Sequence, residues 1–158
     1  MIQVTLTVDK KKVYDEVAKT SAYTGSKMVD DANAYQRIFT TDEDRLLLER
    51  FWVEACAGAT ERMKQLVVSV SSQPESHGVD LTRDYEVSLE LSGMYDENMT
   101  DSVETSLFSY FVYLITAKWF KLSNKPEAES YGLEAAGMLD DVMRKLFHRK
   151  KPIRVTPT

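Results

Sequence analysis

The chain has 158 residues, with 20 Lys+Arg against 25 Asp+Glu for a formal net charge of −5, and is 43% hydrophobic and 28% charged. That length fits one domain able to bury roughly two-thirds of its unfolded surface without covalent staples, and six Gly with four Pro exclude a linker-rich or collagenous chain. One cysteine, Cys56, cannot close an intramolecular disulfide, and two histidines leave little from which to build a Cys/His zinc site.

Residues Ile2, Val4, Leu6 and Val8 alternate with Gln3, Thr5 and Thr7, which predicts a half-buried strand and not a signal peptide. Asp9 then caps a short helix through Val13, Tyr14, Val17 and Ala18, a loop covers Thr20 to Lys27, and Met28, Ala32, Tyr35 and Phe39 suggest another short helix. Thr41-Asp42-Glu43-Asp44 reads as an N-cap with carboxylates in the first turn. From there Leu48, Trp52, Ala55, Ala59, Met63, Leu66 and Val70 follow one helical face. About 28 residues at 1.5 Å each predict a rod of roughly 42 Å, as long as a compact domain of this size is wide.

After a polar loop, Tyr85, Val87, Leu89 and Leu91 alternate with Glu86, Ser88 and Glu90 as a second strand. A helix follows from about Asp101 to Leu122, apolar at twelve of the sixteen positions from Leu107 to Leu122. Its longest uncharged run, thirteen residues between Glu104 and Lys118, falls short of the roughly 20 that a bilayer needs, so no membrane segment is expected. Pro126 opens a last helix with Ala128, Tyr131, Ala135, Met138, Leu139, Val142 and Leu146 on one face, where Gly132, Ala135 and Ala136 allow close approach. Trp52, Trp119, Phe111 and Leu114 are the expected core.

The expected fold is mainly α (α+β): an elongated antiparallel helical bundle with a few short strands, one N-terminal, one near 84–92, and a third from the C-terminal tail or a neighbouring subunit, because a two-stranded sheet is marginal alone. Residues 1–148 form a single helical domain with its N-terminal strand. Residues 149–158 form a basic extended arm.

Reactive constellations are sparse. Phosphate loops are absent, since Gly132 and Gly137 have the spacing but lead into Met138-Leu139 and not Lys-Ser/Thr. There is no G-x-S-x-G elbow. Cys56 lies mid-helix without a local base and reads as a core thiol, His77 as a solvated loop residue, and His148 as a favourable cation at a helix C-terminus. Asp96-x-Asn98-x-Thr100 begins like a calcium loop, but its sixth position is Asp101 and its twelfth Leu107. Asn98-Met99-Thr100 matches a glycosylation acceptor in letters only. No catalytic residue, cofactor site or metal site is expected.

Charge, by contrast, is segregated. From Arg83 to Glu104 there are seven acidic residues and one basic, and from Val142 to Thr158 six Lys/Arg, one His and no acid. The plain account is dipole complementarity at a solvated end; the sharper one is that Arg149, Lys150, Lys151, Ile153, Arg154 and Val155 dock on an acidic partner. Nucleic acid is disfavoured as that partner by the negative overall charge.

Thr41-Asp42-Glu43-Asp44 opening a helix with Leu47, Phe51 and Ala55 is similar to the first core helix of tailed-bacteriophage head–tail connector (adaptor) proteins. Phe111-x-x-x-Ile115-x-x-x-Trp119-Phe120, followed by a polar turn with Pro126 and another helix, resembles their second and third. The resemblance covers about residues 40–150; the segments before residue 40 depart from the minimal form. It implies a structural virion protein without catalytic chemistry, assembled in the host cytoplasm and located at the virion neck. Such a protein forms a ring beneath the portal, dodecameric in this family, that extends the DNA channel. Its partners would be the portal and further neck or tail components, with DNA passing nearby without specific binding. The acidic segment 84–104 would suit a channel or intersubunit surface. The runner-up is a small helical partner-binding or regulatory protein docking through its basic tail, and an enzyme with scattered catalytic residues is third.

Overall fold

The computed structural model describes residues 1–27, 45–74, 82–123 and 125–157. In chain order these form β1 (Ile2–Val8), α1 (Lys10–Lys27), α2 (Arg45–Met63), β2 (Val67–Val70), β3 (Tyr85–Leu91), a 3₁₀ turn (Glu97–Met99), α3 (Thr100–Ser123) and α4 (Lys125–Leu146). The chain is mainly α with a small antiparallel sheet, as the periodicities predict. The helix expected around Met28 to Phe39, the Thr41 cap and His77 lie outside the described residues.

The alternating strands pair with each other. β1 and β3 run antiparallel from Ile2↔Leu91 to Val8↔Tyr85, placing Tyr85, Val87, Leu89 and Leu91 of β3 on the buried face. The third strand is neither the tail nor a neighbour. It is β2, giving the order β1-β3-β2. This overturns the single long helix: α2 stops at Met63, Leu66 N–H bonds back to Met63 O (2.8 Å) in a tight turn, and the chain enters the sheet. Its 19 residues make a rod of about 28 Å. Leu66 and Val70 are four apart, as on a helix face, but three of the four residues Val67-Val68-Ser69-Val70 are β-branched, which favours a strand. Strict alternation is hidden by a bulge between Val67 and Ser69, which sets both Val67 and Val70 opposite buried residues, Leu89 and Val87.

The first helix also differs from expectation. Asp9 does cap α1, its Oδ1 accepting Lys12 N–H at 3.0 Å. The helix then runs through Thr20–Lys27, expected as loop. Thr20 Oγ1 donates to Glu16 O at 2.8 Å, so the hydroxyl bonds within the helix and does not end it, and Val13, Val17 and Ser21 stay on one buried face.

α3 is the central helix. Phe111 meets Trp52 of α2, Tyr85 of β3 and its neighbour Tyr110 at ring-centroid distances of 4.8, 5.3 and 5.5 Å. Trp52, Trp119 and Phe111 are buried in one core, whereas Leu114 is half-buried. α4 folds back along α3, bringing Phe120 to 5.5 Å from Tyr131 and Ser106 to Asp141. The close approach expected at Gly132 is found elsewhere: no atom lies within 4 Å of a Cβ built there, and Ala136 is exposed. Gly58 on α2 is the tight position, where a Cβ would sit 2.5 Å from the Tyr110 hydroxyl, which donates to Ala55 O at 3.2 Å.

Phe111→Ala should cost about 3–5 kcal/mol in urea unfolding, and Gly58→Ala about 1–3 kcal/mol through overpacking against Tyr110. Gly132→Ala should be neutral or slightly stabilising, as alanine is the better helix former.

Candidate docking surface

The arm has a fixed root and a free end. Past Leu146, His148 N–H donates to Lys145 O (3.1 Å) to finish the last turn of α4. The chain then lies against residues 94–96: Asp96 N–H donates to His148 O (3.1 Å) and Lys150 N–H to Met94 O (2.8 Å), flanking a single antiparallel bridge between Tyr95 and Arg149. Tyr95 is buried and its hydroxyl bonds with Thr100 Oγ1 at 3.1 Å. Asp96 Oδ1 accepts Asn98 N–H (3.1 Å), and its Oδ2 lies 3.9 Å from His148 Nε2.

The boundary expected at residue 149 therefore moves. Arg149 and Lys150 are held by their backbones with side chains exposed, and the free arm begins at Lys151. Residues 151–157 carry no helix or strand, so the C-terminal strand reduces to one bridge. Lys151, Ile153, Arg154 and Val155 are all exposed, Ile153 at 90% and Val155 at 87%.

The basic end of α4 is partly used internally. Asp141 accepts from Lys145 Nζ (2.8 Å), Ser106 Oγ (2.7 Å) and Arg144. Those bonds hold its carboxyl well below the usual carboxylate range, and they clamp α4 to α3. Four cations, Arg149, Lys150, Lys151 and Arg154, remain for the arm. The acidic stretch divides likewise. Asp84 Oδ1 accepts Lys10 N–H (3.0 Å), Glu104 Oε1 accepts Thr7 N–H (3.1 Å) and Asp96 caps its turn. Glu86, Glu90, Glu97 and Asp101 face outward.

The tightest ionisable cluster is one that sequence spacing does not reveal. Glu49 of α2 has a fully buried side chain. Its Oε1 accepts from Lys10 Nζ (3.1 Å) and Tyr14 OH (2.8 Å), and its Oε2 from Thr82 N–H (3.0 Å) and the Thr82 hydroxyl. Lys10 Nζ also donates to Thr82 O at 2.8 Å. Burial pushes the Glu49 carboxyl up, but the hydrogen bonds from Thr82, Tyr14 and Lys10 outweigh it, leaving the group below its ordinary value and ionised. Each member is engaged by another part of the same chain, which makes the cluster a fastening. Cys56 is buried and its thiol is pushed far up by desolvation, away from nucleophilic character. Tyr85 is raised to about 12 by burial, its hydroxyl 2.9 Å from Thr60 Oγ1. Among the described residues no three His, Cys, Asp or Glu converge to hold a metal, and no helix is long and apolar enough to cross a membrane.

Sequence reasoning also missed two crevices. One of about 530 Å³ opens where α2 meets the end of α4, lined by Leu66, Leu139, Met143 and Phe147 with Glu61 and Arg62. The other, about 480 Å³, lies between α3 and α4 over Leu114, Ala117, Ala128 and Gly132, rimmed by Lys118, Lys121 and Lys125. Lys118 is tied to Glu54 at 2.8 Å.

Glu49→Gln should destabilise the protein by about 3–5 kcal/mol, since it strands the Lys10 ammonium without its counter-charge. Because the Glu49 pKa is depressed in the fold, its contribution is fully present above the unfolded carboxylate value near 4.3 and is lost as pH falls through the lower folded value. Denaturation across a pH series should therefore show a wild-type advantage over Glu49→Gln that is constant above about pH 5 and shrinks below about pH 4.

No protein-family model matches the chain, and no match is found among curated proteins or solved structures.

Proposed function

We propose that this chain is a structural subunit of a tailed-bacteriophage head–tail connector, forming a ring beneath the portal that extends the DNA channel and links head to tail, with its basic C-terminal arm docking on the portal. The observation that carries the reading is the arm: a basic segment with two nearly fully exposed aliphatic residues, which contribute nothing to the subunit's own hydrophobic core. An unsupported apolar segment of this kind gains by folding against another chain. Its cations speed encounter with an acidic surface, an effect that weakens with salt.

Thr41 to Asp44, which open the resemblance, lie outside the described residues; the others that carry it are compatible with it. Leu47, Phe51 and Ala55 lie on α2, Phe111, Ile115, Trp119 and Phe120 on α3, and Pro126 in the first turn of α4. In this reading the subunit performs no reaction and needs no cofactor, and the outward carboxylates Glu86, Glu90, Glu97 and Asp101 keep passing DNA from adhering.

Removing residues 151–158 should leave the helical circular-dichroism signal and melting temperature of the subunit nearly unchanged while abolishing co-purification with the portal, and electron microscopy of the intact chain at high concentration should show rings. A protein that never forms rings, yet captures an acidic partner through its arm, would instead be the partner-binding regulator. Normal assembly without the arm would reject the docking role.

A further inference from the structure

The three-stranded sheet leaves two edges, and they differ. That of β1 is partly closed by Glu104, which takes the Thr7 N–H at 3.1 Å. That of β2 is open. Ser71 N–H donates to Glu86 O at 2.8 Å, so Val70, one residue earlier and opposite Val87, turns its own N–H and C=O away from β3 toward the free edge. Val70 lies on the core-facing side of the sheet and is nevertheless 41% exposed; Val68, in the bulge, is 55% exposed. The apolar layer under the sheet stops one strand short. Beside the start of β2, at Leu66, the 530 Å³ crevice continues this apolar margin through Leu139, Met143 and Phe147, the last 61% exposed.

We infer that the edge of β2 accepts the C-terminal arm of a second copy of this chain, which adds as a fourth strand. Pro152 and Pro157 bracket Ile153–Thr156, four residues, the length of β2. Alternation sends Ile153 and Val155 to one face, where they complete the layer beside Val70, and Arg154 to the other. That other face carries Glu86 and Glu90 of β3. Strands stand about 4.8 Å apart, so Arg154 on an added strand lies about 10 Å from β3, a gap its long side chain largely closes. Backbone bonds to Val70 supply affinity, and the aliphatic pair and the arginine supply register.

Donor segment and acceptor edge belong to the same chain but do not touch, which makes the contact head-to-tail; repeated, such a contact closes into a ring or runs on as a filament. The inference rests on the arm being a docking element, as in the proposed function, but assigns it a sibling subunit and not the portal.

Val70→Pro removes an N–H that bonds nothing in the sheet, so it should block addition while sparing the fold. Val68→Lys, a charge on the edge, is a second block that does not depend on proline being tolerated. In sedimentation velocity across a concentration series, the wild type should self-associate, and either edge variant or a chain lacking residues 151–158 should do so at least ten-fold more weakly. Mixing Val70→Pro with the arm-less chain should restore one-to-one dimers and nothing larger, because one supplies the arm and the other the edge. Edge variants that assemble like the wild type while arm deletion abolishes assembly would overturn the acceptor and leave the arm's docking role intact. A wild type that stays monomeric yet binds the portal through its arm would likewise overturn the acceptor alone. Assembly indifferent to arm deletion would overturn both.

Discussion

A carboxylate with no exposed surface must be matched by donors, and Glu49 draws them from two segments that the chain order keeps far apart: α1, through Lys10 at its start and Tyr14 a turn later, and Thr82 just ahead of β3. Breaking any of these leaves a buried charge short of a partner, so the segments cannot shift independently. The neighbouring bonds depend on that alignment. Trp52, one turn along α2 from Glu49, donates its indole N–H to Arg83 O at 3.0 Å, and Gln73 Oε1 takes the Arg83 N–H at 2.9 Å. The entry of β3 is thereby fixed against α2, and with it the register that seats Tyr85 against Phe111.

The helical hairpin has a separate fastening. Asp141, Ser106 and Lys145 join α3 to α4 near the surface, while Phe111, Trp52 and Tyr85 join α3 to the rest of the core. Between them these contacts close the subunit on itself. Some apolar residues stay exposed, among them those on the edge of β2, Phe147 and the aliphatic pair on the arm. A monomer that merely needed to be soluble would place charge at such an edge; here valines occupy it, and the cations sit on the arm.

Much of the architecture was legible in the sequence. β1 and β3 show because each has one buried and one open face, so period two is written in the residues. α3 and α4 show because length and apolar content leave no strand reading. β2 was hidden for a physical reason: the bulge breaks its alternation, and Met63, Leu66 and Val70 happen to keep helical spacing across a turn. The full length of α1 was hidden because Thr20 and Ser21 have the character of loop residues, and only the bond from Thr20 back to Glu16 O shows the hydroxyl serving the helix. The Glu49 fastening left no trace in spacing, its partners lying 33 to 39 positions away. On the candidate surface, the composition of the arm was legible, but its root was not, because Met94 to Asp96 holds it through backbone atoms that any sequence supplies.

That root has a mechanical consequence. Tension on the arm reaches the subunit at Lys150 and meets two backbone hydrogen bonds around Tyr95, each worth about 1 kcal/mol net, before it meets α4. Behind them stands the packed core around Phe111. The bridge is therefore a fuse. Under load it opens first, lengthening the tether by the few residues between Leu146 and Lys150 while α3, α4 and the sheet keep their shape, so a particle held together by such arms could stretch at its joints without unfolding its subunits.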